Sequence, residues 1–192
     1  MTEKHQHYII FKPWGYLSQF IDNSPTRKNK KKLGDLHPFD ERTMSIGRLD
    51  QDSEGLLLLT TNGKESYRIL SSKYEKEYYV QLDGIIDLEA LELLQKGVEI
   101  SIDSGKYMTK PCLAKKIDVP DLPTRAKKIR DERHGPTSWA SITVREGKFR
   151  QVRKMTAAVG FPTLRLVRVR IGKITIFNFQ AGQVEEVDQL NV

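Results

Sequence analysis

Closely spaced glycines are missing from this chain. Its 13 glycines never stand nearer than eight positions to one another, as at Gly47 and Gly55 or Gly97 and Gly105. A phosphate-cradling P-loop and a dinucleotide fingerprint both require much tighter glycine spacing, which argues against ATP-driven chemistry and Rossmann cofactors. Cysteine is nearly absent too. Cys112 is alone, cannot form an intramolecular disulfide, and suits a reduced, cytoplasmic protein. The four histidines, His5, His7, His37 and His134, do not combine with Cys112 into a zinc-binding spacing, and each reads as a surface residue. The longest apolar stretch is the quartet Leu56 to Leu59, far short of the ~20 residues of a membrane span. No metal, no diffusible cofactor and no membrane partner are therefore expected.

What is present is a core and a field. With 192 residues, 38% of them hydrophobic, the chain can bury a core without disulfides or a structural metal. Its length fits a single domain, 1–192, with lobes roughly 1–65 and 66–192. Lysine and arginine outnumber acidic residues 32 to 25, giving +7, and residues 101–192 hold 18 basic against 9 acidic side chains. A positive field confined to one half of a chain points to a polyanionic partner, most often nucleic acid.

Periodicity supplies the elements. Tyr8 to Phe11, Leu56 to Thr61, Tyr78 to Leu82, Ser138 to Arg145 and Leu164 to Ile176 read as strands. Asn62-Gly63 reads as a tight turn leading into a helix around Glu65 to Leu70. Asp87 reads as the N-cap of a helix with Leu88, Leu91 and Leu94 on one face and Gly97 as its stop, and Arg150 to Val159 reads as another helix. Two apolar-poor segments, 23–33 and 118–137, are rich in lysine and arginine and read as exposed basic loops, Arg27 to Lys32 and Arg125 to Arg133 being placed to contact phosphates. Strands interspersed with few helices predict an α+β fold with a mixed, mostly antiparallel sheet and flanking helices.

The chemistry concentrates in Gly47-Arg48-Leu49-Asp50-Gln51-Asp52-Ser53-Glu54-Gly55, with three carboxylates in five positions before an apolar run. A calcium loop would need a bidentate glutamate at its twelfth position, where Thr61 stands. Gly47 to Asp50, followed by Ser53 to Gly63, resembles the central motif of the ribosomal RNA pseudouridine synthases of the RsuA/RluB/RluE/RluF group. Three further blocks agree in order: Phe11-Lys12-Pro13-Trp14-Gly15, Lys76-Glu77-Tyr78, and Glu146 to Met155 with Leu166, Arg168, Ile171 and Gly172. The resemblance spans residues 8 to about 172 and is greatest to the RluE subgroup. Most members carry an S4-type RNA-binding module ahead of the first motif, and here that motif begins at residue 11, so no S4 domain is expected.

The resemblance implies a pseudouridine synthase fold, with two closely packed lobes around a catalytic cleft. It also implies a uridine of 23S rRNA as substrate, free or within an assembly intermediate. By the same resemblance Asp50 is the catalytic carboxylate, Arg153 the positive partner that keeps it ionised, and Tyr78 the ring that stacks on the extruded uracil. Arg48 holds the backbone or fills the gap left by the flipped base, and Lys12, Lys76, Lys127, Lys128, Arg130, Lys148 and Arg150 are expected to bind RNA. A monomer is expected, since no self-complementary apolar face is evident. Uridine C5 methylation fails as a rival, because Cys112 has no neighbouring base and no glycine-rich turn exists for a methyl donor. The rival from another class is a noncatalytic rRNA-binding or ribosome-assembly protein. Asp50 separates the two, since a pure binder has no use for a carboxylate facing phosphates.

Overall fold

Four leucines in a row show no alternation, which is the pattern of a strand covered on both faces. They form the middle of β3, Glu54–Thr60, in which all seven residues are buried. The structure is a computed structural model that describes residues 4–21 and 30–192. Among these residues the chain forms eleven strands and three α-helices, arranged as two compact units.

The first unit comprises Met1–Tyr74, Pro123–Lys127 and Val169–Val192. Strand β1, His7–Lys12, lies between β3 and β11, Val184–Val187, antiparallel to both, with Ile10 opposite Leu57 on one side and Val184 on the other. Strand β2, Met44–Ile46, pairs antiparallel with the other edge of β3. Tyr8, Ile10, Leu33, Leu57 and Leu59 form one apolar cluster, closed by Phe20, Leu36 and Phe39. His7 is not a surface residue: it is buried, and its Nδ1 lies 2.9 Å from Thr60 Oγ1. Helix α1, Gly63–Ser71, begins at Gly63 because Asn62 is its cap, accepting the Lys64 and Glu65 N–H groups at 3.0 and 3.3 Å. The expected tight turn is thus a helix start. The unit runs on to Tyr74, beyond the residue 65 expected from sequence, because α1 packs on β2 and β3.

The second unit comprises Glu75–Leu122 and Lys128–Arg168. Its strand order is β9-β4-β8-β7, with β4 at Lys76–Asp83, β7 at Leu113–Ile117, β8 at Thr137–Val144 and, of β9, Thr163–Ile171, the residues up to Arg168. The ladders β4 to β8 and β7 to β8 are antiparallel, placing Tyr78 opposite Ile142. Helices α2, Leu88–Lys96, and α3, Gln151–Ala158, contribute Ala90, Leu91, Leu94, Val152 and Met155 to a core shared with Val80, Leu82, Ile142 and Leu166. Asp87 caps α2, its carboxylate accepting the Ala90 N–H at 2.8 Å. Leu88 lies outside the expected leucine face, 79% exposed, and Ala90 takes its place. Strands β5, Glu99–Ile102, and β6, Gly105–Met108, form a separate hairpin.

The strand expected over 164–176 is two. β9 ends at Ile171, the chain reverses through Gly172 at φ +55°, and β10, Ile174–Thr175, returns along it. The pairings are predominantly antiparallel, as expected for an α+β fold, with one isolated parallel bridge between Gly84 and Thr137. Among the described residues no helix is long and apolar enough to cross a membrane.

Candidate active site

Asp50 sits in a turn that is fixed from several sides. Gly47 has φ +75°, a conformation that L side chains rarely adopt, and it turns the chain out of β2. Leu49 is then buried, and its backbone is held by Ser18: the Leu49 N–H donates to Ser18 Oγ at 2.9 Å, and that hydroxyl donates to the Leu49 carbonyl at 2.8 Å. On the other flank the Gly15 N–H donates to the Gln51 carbonyl at 2.8 Å, and the Gln51 side-chain amide donates to the Gly15 carbonyl at 3.1 Å. The Ser53 N–H closes the turn onto the Asp50 carbonyl at 3.1 Å. Asp50 itself remains partly exposed, with Arg48 exposed beside it. A carboxylate on a turn this constrained loses little freedom when substrate arrives.

Glu54, four residues on, has different surroundings from Asp50. Glu54 is 2% exposed and pairs with Arg125, whose side chain is 10% exposed, at 3.3 Å. Arg125 also lies over the Trp14 ring, 5.5 Å from its centroid, and Lys127 is 5.2 Å from the same centroid. Sequence reasoning missed this cluster because Glu54 and Arg125 are 71 residues apart. Lys12 departs from its expected role. It is fully buried, and its ammonium donates to the Pro13 and Tyr16 carbonyls at 3.0 and 2.7 Å. Its charge shapes the Trp14 turn and has no surface from which to meet a phosphate.

In the second unit Tyr78, partly buried, packs against the core on the same face of β4 as Val80 and Leu82. Lys76, two residues before it on that face, is half-buried. Burial, and after it the charge of Arg168, pushes the Lys76 ammonium below its ordinary pKa. Arg168 is only 4% exposed. It belongs to the third motif block, yet nothing in its alternating strand sequence marks it as buried. Arg153, on α3, is half-buried and donates through Nη1 to the Thr163 carbonyl at 3.4 Å.

The expected RNA-binding residues differ in availability. Lys127, Lys128 and Lys148 are exposed, and Lys148 lies over the Tyr107 ring at 4.8 Å. Arg150 is partly buried and adopts the left-handed conformation, φ +52°, at the start of α3. Arg130 is a correction: its side chain is 17% exposed and makes two hydrogen bonds to the Asp83 carboxylate, one at 3.0 Å, so its charge is already matched. Of the loop expected from Arg27 to Lys32, residues 27–29 lie outside the described residues.

Residues 6–158 match the RNA pseudouridylate synthase family. The chain is 42% identical over 187 residues to the ribosomal large subunit pseudouridine synthase E of Vibrio parahaemolyticus, covering 96% of this chain and 75% of that protein. It is 40% identical over 179 residues to the Xanthomonas campestris protein of the same name, covering 91% of each. A crystal structure of a pseudouridylate synthase superposes with a TM-score of 0.73 at 26% identity, over 96% of this chain and 71% of that one. With the motifs in order, the fold in common and nearly the whole of this chain matched, the chain belongs to the RNA pseudouridylate synthase family.

Proposed function

We propose that this protein isomerises a uridine of the 23S rRNA of the large ribosomal subunit to pseudouridine, as a cytoplasmic monomer that needs no diffusible cofactor. In this reaction the bond from uracil N1 to the ribose C1′ breaks, the base turns, and C5 bonds to C1′. The hydrogen on C5 leaves as a proton and N1 takes one up, so atoms and charge balance without an outside reagent. The reaction needs an anionic group at the electron-poor centre formed as the bond opens, and Asp50 supplies it. Tyr78 stacks on the extruded uracil, since an aromatic face accepts an unstacked base. Arg153 and the more deeply buried Arg168 supply positive charge to the reacting anions.

The observation that carries this reading is the Asp50 turn, in which hydrogen bonds from Ser18 and to Gly15 fix the backbone on both sides of one carboxylate. A protein that only bound RNA would gain nothing from such a group. The test is release of tritium from rRNA transcribed with uridine labelled at C5, on incubation with the purified protein alone. Release with formation of a mass-silent isomer at one position is expected. Stable binding without release would replace the reading with a noncatalytic one.

A further inference from the structure

The segment between β8 and α3 is organised around one carboxylate, Glu146. It accepts hydrogen bonds from the Tyr107 hydroxyl, from the Lys110 N–H at 2.8 Å and from the Gln151 side-chain amide at 2.9 Å. Burial raises the Glu146 pKa, and these hydrogen bonds more than offset it, leaving the carboxyl below its ordinary value. Gln151 is buried and bridges onward, its side-chain oxygen accepting the Lys148 N–H at 3.0 Å and its own N–H donating to the Lys148 carbonyl at 3.1 Å. A loop held this way is rigid. At its tip, between Lys148 and Arg150, stands Phe149, 65% exposed.

A single exposed apolar ring is ordinary on a protein surface; what distinguishes Phe149 is its place at the tip of this clasp among cations. Three cations surround it. Lys148 and Arg150 flank it in sequence, and Lys154 Nζ lies 5.3 Å from the centre of its ring. The left-handed backbone of Arg150, at φ +52°, is uncommon for a residue with a side chain and is what turns the chain from the tip into α3. A rigid aromatic among cations matches single-stranded RNA in both of its components: the ring takes a base face, and the cations take the phosphates.

From this geometry we infer that Phe149 is a base-stacking platform for an unpaired nucleotide of the RNA substrate outside the reacting uridine, with Lys148, Arg150 and Lys154 on its phosphates. The base lies on the ring face away from Lys154. The inference rests on the proposed RNA substrate and deepens it, because the contact selects RNA in which a base other than the reacting uridine is unpaired.

Titrations with a large-subunit rRNA transcript, beside tritium release, test it. Stacking of one base is worth about 5- to 150-fold in affinity, so Phe149→Ala is expected to weaken binding by at least about fivefold. Phe149→Trp should restore it, and Phe149→Leu, apolar but without a π face, should not. The slope of log affinity against log salt should be unchanged in Phe149→Ala, and shallower by about 0.7 in Lys154→Gln. Affinity of Phe149→Ala within twofold of the parent, in a parent that binds and converts the transcript, would overturn this inference alone. A parent that neither binds nor converts it would overturn the proposed function along with it.

Discussion

Asp50 and Glu54 lie four residues apart on the same short segment and have opposite surroundings. Glu54 is buried against Arg125, whereas Asp50 is partly exposed on a braced turn. Removing one member of a buried ion pair leaves the other charge without compensation and costs about 3–5 kcal/mol. Glu54→Gln should therefore destabilise the fold by about 3 kcal/mol or more in urea titration, while Asp50→Asn should change stability by less than about 1 kcal/mol. Equal effects would mean that the two carboxylates are not divided between structure and chemistry. The same reasoning separates the basic residues. Lys12 and Arg130 look like phosphate ligands in sequence, yet one holds the carbonyls of a turn and the other pairs with Asp83.

At the scale of elements, one glycine ends a helix and allows a close approach. Gly97 follows α2 at φ +103°, and a Cβ there would collide with the Thr109 carbonyl oxygen. Gly97→Ala should cost about 2 kcal/mol or more, since backbone strain and a steric clash combine; a melt within about 1 kcal/mol of the parent would contradict the observed packing. The β1 to β3 ladder carries a pH dependence through His7. Burial, the largest cause, depresses its pKa below 6.5. On acidification the unfolded chain takes up the proton first, so stability should fall as pH drops below about 6.5. His7→Asn should flatten that loss when urea midpoints at about pH 7.5 and 5.5 are compared.

Much of this architecture was legible in the sequence, because β1, β3, β4 and β8 have apolar runs or clean alternation and α2 has a cap, a stripe and a glycine stop. The strands that sequence reading missed are short, and two of them carry adjacent like charges. Leu-Ala-Lys-Lys-Ile in β7 and Val-Glu-Glu-Val in β11 follow no apolar period, because these strands bury few of their side chains and are specified by backbone pairing to β8 and β1. The Asp50 turn was legible because its motif is contiguous. The pairing of Glu54 with Arg125 and the burial of Arg168 depend on contacts remote in sequence, which no local pattern encodes.

For the whole molecule the dominant feature is charge. The chain carries +7 overall, with the excess confined to residues 101–192, and binding a polyanion through such a field releases counterions and weakens as salt rises. Lys127 and Lys128 are exposed. Replacing both with glutamine should flatten the slope of log affinity against log salt by about 1.4, at about 0.7 per contact with single-stranded RNA. An unchanged slope would show that this loop does not touch the RNA. Arg130→Gln should instead act on stability, through Asp83.

Those effects concern stability and the holding of RNA; the central claim of the proposed function is that Asp50 carries the reaction. The most direct measurement is the single-turnover rate of tritium release from C5-labelled rRNA by Asp50→Asn at saturating enzyme, with RNA affinity measured in parallel. Asparagine keeps the shape and removes the charge, so a carboxylate that acts at the bond being exchanged should lose ~10⁴-fold or more in rate with affinity nearly intact. A variant that retained a tenth or more of the parent rate would show that Asp50 is not the catalytic group.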